Sequence, residues 1–66
     1  MEIQLNGETR EIGDSSNLID LIKSLGLAPE RVAIELNREV IRKPDWETTV
    51  LKENDRVEIV HFVGGG

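Results

Sequence analysis

The chain has 66 residues, no cysteine, a single histidine (His61), and 13 acidic against 8 basic side chains for a formal net charge of −5. That length allows one small domain with a modest core, which favours a binding or carrier module over an enzyme with its own enclosed active site. The composition excludes a disulfide framework, thiolate chemistry and a multi-histidine metal centre. Scattered, outnumbered basic residues argue against nucleic acid, and no stretch approaches the roughly 20 apolar residues that span a bilayer. The absence of a basic region followed by an apolar stretch after Met1 points to a cytoplasmic protein.

Met1 to Leu5 alternates apolar and polar residues, as a half-buried strand does. Asn6-Gly7 follows, the pair best suited to the positive φ angles of a two-residue hairpin turn. Glu8 to Ile12 returns as a polar strand, expected at a sheet edge. Gly13-Asp14-Ser15-Ser16 breaks the pattern. Asn17 is a suitable helix cap with Asp20 three positions on, and Leu18, Leu21, Ile22 and Leu25 form one apolar stripe. Gly26 supplies the left-handed residue that ends the helix, Leu27 closes the contact behind it, and Pro29 forbids continuation.

Arg31 to Leu36 reads as an internal strand with Val32, Ile34 and Leu36 on one face. Asn37-Arg38 turns the chain into a short strand, Glu39 to Arg42. Asp45-Trp46-Glu47 is predicted to form a single turn with Trp46 tucked against the domain, and Val50 and Leu51 are core candidates. A polar turn at 52–55 leads to the last strand, Arg56 to Val63, in which Val57, Ile59 and His61 alternate with Glu58, Val60 and Phe62. A hairpin, a crossover helix and further strands make an α+β domain in ββαββ order, with one helix across a mixed sheet of four to five strands. This is the ubiquitin-like β-grasp arrangement. The domain is predicted over 1–63 and a flexible glycine tail over 64–66.

Enzymatic chemistry finds little to work with. Ser15 and Ser16 lack a base, since His61 lies far along the chain. The carboxylates are too scattered for a glycosidase pair, and no glycine-rich loop precedes a helix. The unusual feature is Gly64-Gly65-Gly66. It is either a frayed end or a thin arm able to thread a narrow active site and present the carboxylate of Gly66 without a bulky neighbour. A carboxylate must be activated before a nucleophile can displace a leaving group from it, so the activation has to come from a partner. Val60 and Phe62, on the opposite face of the last strand from Val57 and Ile59, would form an apolar docking patch beside the tail, or else pack on their own domain.

The Asn6-Gly7-Glu8 hairpin, the helix from Asn17 to Ile22, the run Val32 to Val40, Arg42, Trp46, Asn54 to Ile59 and the final Val63-Gly-Gly-Gly66 together resemble the ThiS family of thiamine-biosynthesis sulfur carriers. The resemblance spans the whole chain, and the glycine tail is its specific element. Asn54 departs from the glycine often found there, though asparagine tolerates the same left-handed turn. The resemblance implies that a ThiF-type adenylating enzyme uses ATP and magnesium to activate Gly66, so that the carrier binds no cofactor and is a cosubstrate rather than an enzyme. A persulfide donor linked to a cysteine desulfurase would then form a thiocarboxylate, and a ThiG-type thiazole synthase would receive the sulfur. Gly64 and Gly65 would serve threading, and Val60 and Phe62 docking, with the free protein a monomer. The molybdopterin synthase small subunit and the tRNA-thiolation or ubiquitin-like carriers are related alternatives with the same tail chemistry. An interaction module with an inert tail is the alternative of another class.

Overall fold

The computed structural model describes residues 1–62. Five strands and one α-helix follow the order β1 (Glu2–Leu5), β2 (Glu8–Glu11), α1 (Leu18–Ser24), β3 (Val32–Leu36), β4 (Glu39–Ile41) and β5 (Arg56–His61), with single 3₁₀ turns at Pro29–Arg31 and Lys43–Asp45. Counting the short strand β4, the sequence of elements is therefore ββαβββ. The strands form one mixed sheet ordered β2-β1-β5-β3-β4, in which β1 and β5 run parallel and every other pair is antiparallel. The polar strand β2 is an edge, as its sequence suggests, and all four of its residues are exposed.

Local chemistry explains the punctuation. Asn6 and Gly7 sit at φ 48° and 83°, the two positive angles of a type I′ hairpin. The helix begins in a capping box: the Asn17 Oδ1 accepts from the Asp20 amide at 2.7 Å, and the Asp20 Oδ2 accepts from the Asn17 amide at 3.1 Å. Such a cap contributes about 1 kcal/mol. It ends in a Schellman motif, with Gly26 at φ 71° and the amides of Gly26 and Leu27 donating to the carbonyls of Lys23 and Ile22.

One stripe of this helix, Leu18, Leu21 and Ile22, packs on Ile3, Val32, Ile34 and Val57 from the sheet, and Trp46 and Leu51 complete the buried core. Trp46 is buried, although its 3₁₀ turn lies at Lys43–Asp45 rather than over Asp45 to Glu47. Val50 is not a core residue: it is 51% exposed. Its backbone bridges Asn17, with the Leu51 amide donating to Ser16 and the Leu18 amide to Thr49, and this pairing sends Leu51 inward and Val50 out.

The hairpin between β3 and β4 carries Asn37 at φ 52° and Arg38 at φ 72°. A type I′ turn favours glycine at its second central position, and arginine there holds a left-handed backbone at a cost. Arg38→Gly is expected to stabilise the fold by about 0.5–1 kcal/mol, a rise of a few degrees in Tm. A thermal melt monitored by circular dichroism checks it.

Candidate functional site

Strand β5 is the element that carries the chain toward its glycines, and it is held from both sides. On one side it pairs with β3 from Leu36↔Val57 to Val32↔His61, and beyond the strand the Phe62 amide still donates to the Arg31 carbonyl at 2.7 Å. On the other side the β1 ladder stops at Leu5↔Val57. Asn6 takes over there. Its backbone amide donates to the Val57 carbonyl, its Oδ1 accepts from the Ile59 amide at 2.7 Å, and its Nδ2 donates to the Ile59 carbonyl at 3.4 Å. The side-chain amide thus stands in for one more peptide group of β1. Asn37 treats the start of β5 similarly: its Oδ1 accepts from the Arg56 amide at 2.9 Å, while its own amide donates to the Arg56 carbonyl.

The alternation along β5 divides its side chains between two environments. Val57 is buried against the helix and Ile59 is half-buried, while Val60 and Phe62 on the other face are 57% and 49% exposed. Both sequence-predicted docking residues therefore lie on the solvent face of the sheet. The antiparallel register sets Ala33 opposite Val60 on that face, and Glu35 opposite both Glu58 and Val40. Val40 is 64% exposed. Together these residues make an apolar surface with two carboxylates at one side. Sequence reading missed Val40 as a member, although a signal existed. The two-residue turn at Asn37-Arg38 forces Leu36 opposite Glu39, and hence Glu35 opposite Val40.

His61 is exposed at the end of β5 and lines a shallow groove with Leu5, Asn6, Leu25, Leu27 and Ile59. The Ser16 hydroxyl donates to the Gly13 carbonyl at 2.6 Å, a local turn contact. The N-terminal amine of Met1 has a pKa above the ordinary value for such a group, because the carboxylates of Glu11 and Asp14 accept hydrogen bonds from its charged form. The predicted sulfur-bearing residue Gly66, the threading residues Gly64 and Gly65, and the predicted boundary at residue 63 lie outside the described residues.

A single helix gripped by a five-stranded mixed sheet, with its first and last strands parallel neighbours at the centre, defines a ubiquitin-like β-grasp protein. The fold matches the crystal structure of the thiamine biosynthesis protein ThiS from Geobacter metallireducens with a TM-score of 0.86 at 35% identity, over 100% of both chains. The sequence pattern of the ThiS family matches residues 3–66, and the chain belongs to that family. It is 40% identical to the sulfur carrier protein ThiS of Bacillus subtilis over 65 residues, covering 97% of this chain and 98% of that one. It is also 44% identical over all 66 residues to a thiazole synthase of Magnetococcus marinus, of which it spans only 20%. A thiazole synthase of Paramagnetospirillum magneticum matches at 35% identity, again over one fifth of its length (20%). No helix among the described residues is long and apolar enough to cross a membrane.

Proposed function

We propose that this protein is a sulfur carrier of thiamine biosynthesis, a cosubstrate whose working group is the carboxylate of Gly66. The observation that carries the reading is a family match that runs through residue 66, and so includes all three glycines, joined to near-complete coverage of the Bacillus sulfur carrier. The chemistry follows from the weakness of a carboxylate as an electrophile. A ThiF-type enzyme supplies ATP and magnesium, and a Gly66 oxygen attacks the α-phosphate and releases pyrophosphate. The terminal sulfur of a protein persulfide, charged by a cysteine desulfurase, then attacks the acyl carbon and expels AMP. Cleavage of the resulting disulfide by a second thiol leaves a thiocarboxylate on Gly66. No step draws on a side chain of the carrier, so the domain contributes recognition and presentation of the tail.

The acceptor in this reading is a ThiG-type thiazole synthase. Two relatives named thiazole synthase contain, within one polypeptide, a stretch similar to this whole chain. A carrier domain and the enzyme it serves gain effective concentration when they are joined, which is the physical sense of such an arrangement.

Val60 and Phe62 are the proposed docking residues. Phe62→Asp is expected to raise the KM for the carrier in adenylation by about tenfold, the loss of one well-packed aromatic anchor, with little change in Tm. Steady-state kinetics and a thermal melt together check this; a large drop in Tm would instead give Phe62 a role in the core. The carrier reading itself is tested by intact-protein mass spectrometry after incubation with ATP, magnesium, a ThiF-type enzyme and a persulfide donor. One sulfur-for-oxygen exchange, mapped to Gly66, is the expected result. No exchange with an enzyme active on another carrier would overturn it.

A further inference from the structure

The solvent face of β3, β4 and β5 contains a placement that folding alone disfavours. Glu35 and Glu58 are direct cross-strand partners, both exposed. They belong to a hydrogen-bonded pair, because the same ladder includes the bonds from the Phe62 amide to Arg31 and from the Asn37 amide to Arg56, and such pairs recur at every second residue. Like charges in directly opposite positions destabilise a sheet. The other acidic cross-strand pair among the described residues, Glu2 and Glu11, is relieved internally: the Met1 amine lies 3.2 Å from Glu11. Among the described residues, neither Glu35 nor Glu58 forms an ion pair within 4.0 Å. Arg56, two residues before Glu58 on the same strand face, and Arg31 and Arg42, toward the Phe62 end, do not close on them.

The neighbours of this pair on the same face are apolar: Val40 beside Glu35, and Ala33 and Val60 two residues along each strand. A partner that covers Val40, Val60 and Phe62 also removes water from the two carboxylates. Burying two like charges without a counter-ion is strongly unfavourable. A cationic side chain on the partner resolves both problems, and the planar fork of arginine suits two adjacent carboxylates. We propose that this sheet face is the docking surface for a partner protein that sets an arginine or lysine between Glu35 and Glu58, beside an apolar centre over Ala33, Val40, Val60 and Phe62. This rests on the carrier reading above and specifies the chemistry of the surface that the adenylating enzyme must present.

The test uses the full chain with Glu35→Gln, Glu58→Gln and both together. The readouts are Tm and the KM for the carrier in adenylation by a ThiF-type enzyme, each at low and high salt. Because the pair is a strain on the free protein and an anchor in the complex, the variants are expected to keep or gain stability while losing affinity for the partner. Tm stays level or rises by about 1–4 °C, from relief of like-charge repulsion. KM for the double variant rises about tenfold at low salt with kcat little changed, and the difference shrinks at high salt as the ionic contact is screened. An unchanged or lower KM in the double variant overturns the proposal, and so does a fall in Tm of several degrees, which would give the carboxylates a structural role. If the wild-type chain is converted but the variants are indifferent, this inference alone falls. If the wild-type chain is never converted, the carrier reading falls and takes the inference with it.

Discussion

Appending one residue after Gly66, or deleting Gly66, is expected to abolish thiocarboxylate formation while leaving Tm unchanged. The separation of these effects follows from where the fold is anchored. The last backbone bond that ties the chain to the sheet within the described residues is the Phe62 amide to the Arg31 carbonyl, and the buried core closes at Val57. The core and the strand pairing of the described residues are complete without residue 66. The chemical effect is total because the proposed reaction has a single reacting group. An added residue moves the carboxylate along the tail by about one residue's reach, roughly 3.5 Å, and surrounds it with a side chain. A displacement of about 1 Å already costs on the order of a hundredfold when two reactants must be aligned. Mass spectrometry of the extended and shortened proteins, paired with thermal melts, checks both halves. Full conversion of the extended chain would remove Gly66 from its proposed role.

Trp46→Ala is expected to bring the domain close to unfolding. Trp46 is 2% exposed, and its indole Nε1 donates to the Ile41 carbonyl at 2.7 Å. The ring thus fills the core and also ties β4 to the segment that follows it, with the Lys43 ammonium 6.0 Å from the ring centroid. Truncating a buried tryptophan to alanine typically costs about 3–5 kcal/mol. A domain of this size has a total stability of only about 3–10 kcal/mol. Trp46→Phe separates the two contributions. It keeps most of the apolar volume and leaves the Ile41 carbonyl without its donor, at a cost of about 1–3 kcal/mol. Urea unfolding of both variants gives the comparison, and equal losses would assign the whole effect to the hydrogen bond.

The parts of the fold that were legible in the sequence are those with a local cause. Asn6-Gly7 could hardly be other than a I′ turn, and the helix was bracketed by Asn17 and Gly26 because caps act within a few residues. The outward placement of Val60 and Phe62 follows from strict alternation once Val57 is assigned to the core. Non-local decisions were not legible in the same way. Val50 and Leu51 are equally apolar, and only the bridge from Val50 to Asn17 determines which of them turns inward. Nothing local in Asn6 or Asn37 reveals that each amide serves a turn and also clasps a strand many residues away. Glu35 and Glu58 lie 23 positions apart in the chain, and their opposition exists only in the register of the sheet. The tail was legible from composition as unusual, but the chemistry proposed for it came from likeness to a family.

The parallel pairing of β1 with β5 at the centre of the sheet also has a mechanical consequence. Because both strands run in the same direction, a pull applied through Phe62 against a domain held at its first strand loads the central bonds along the strand axis, in shear. The ladder from Gln4 to Val57, the Asn6 clasp on Ile59 and the whole β3 pairing then bear the force together. A zipper-like geometry would yield one bond at a time; this one yields only when several break at once. In the carrier reading proposed above, a domain withdrawn by its end from a partner's channel would be loaded along this shear direction, the one in which the central pairing shares the force.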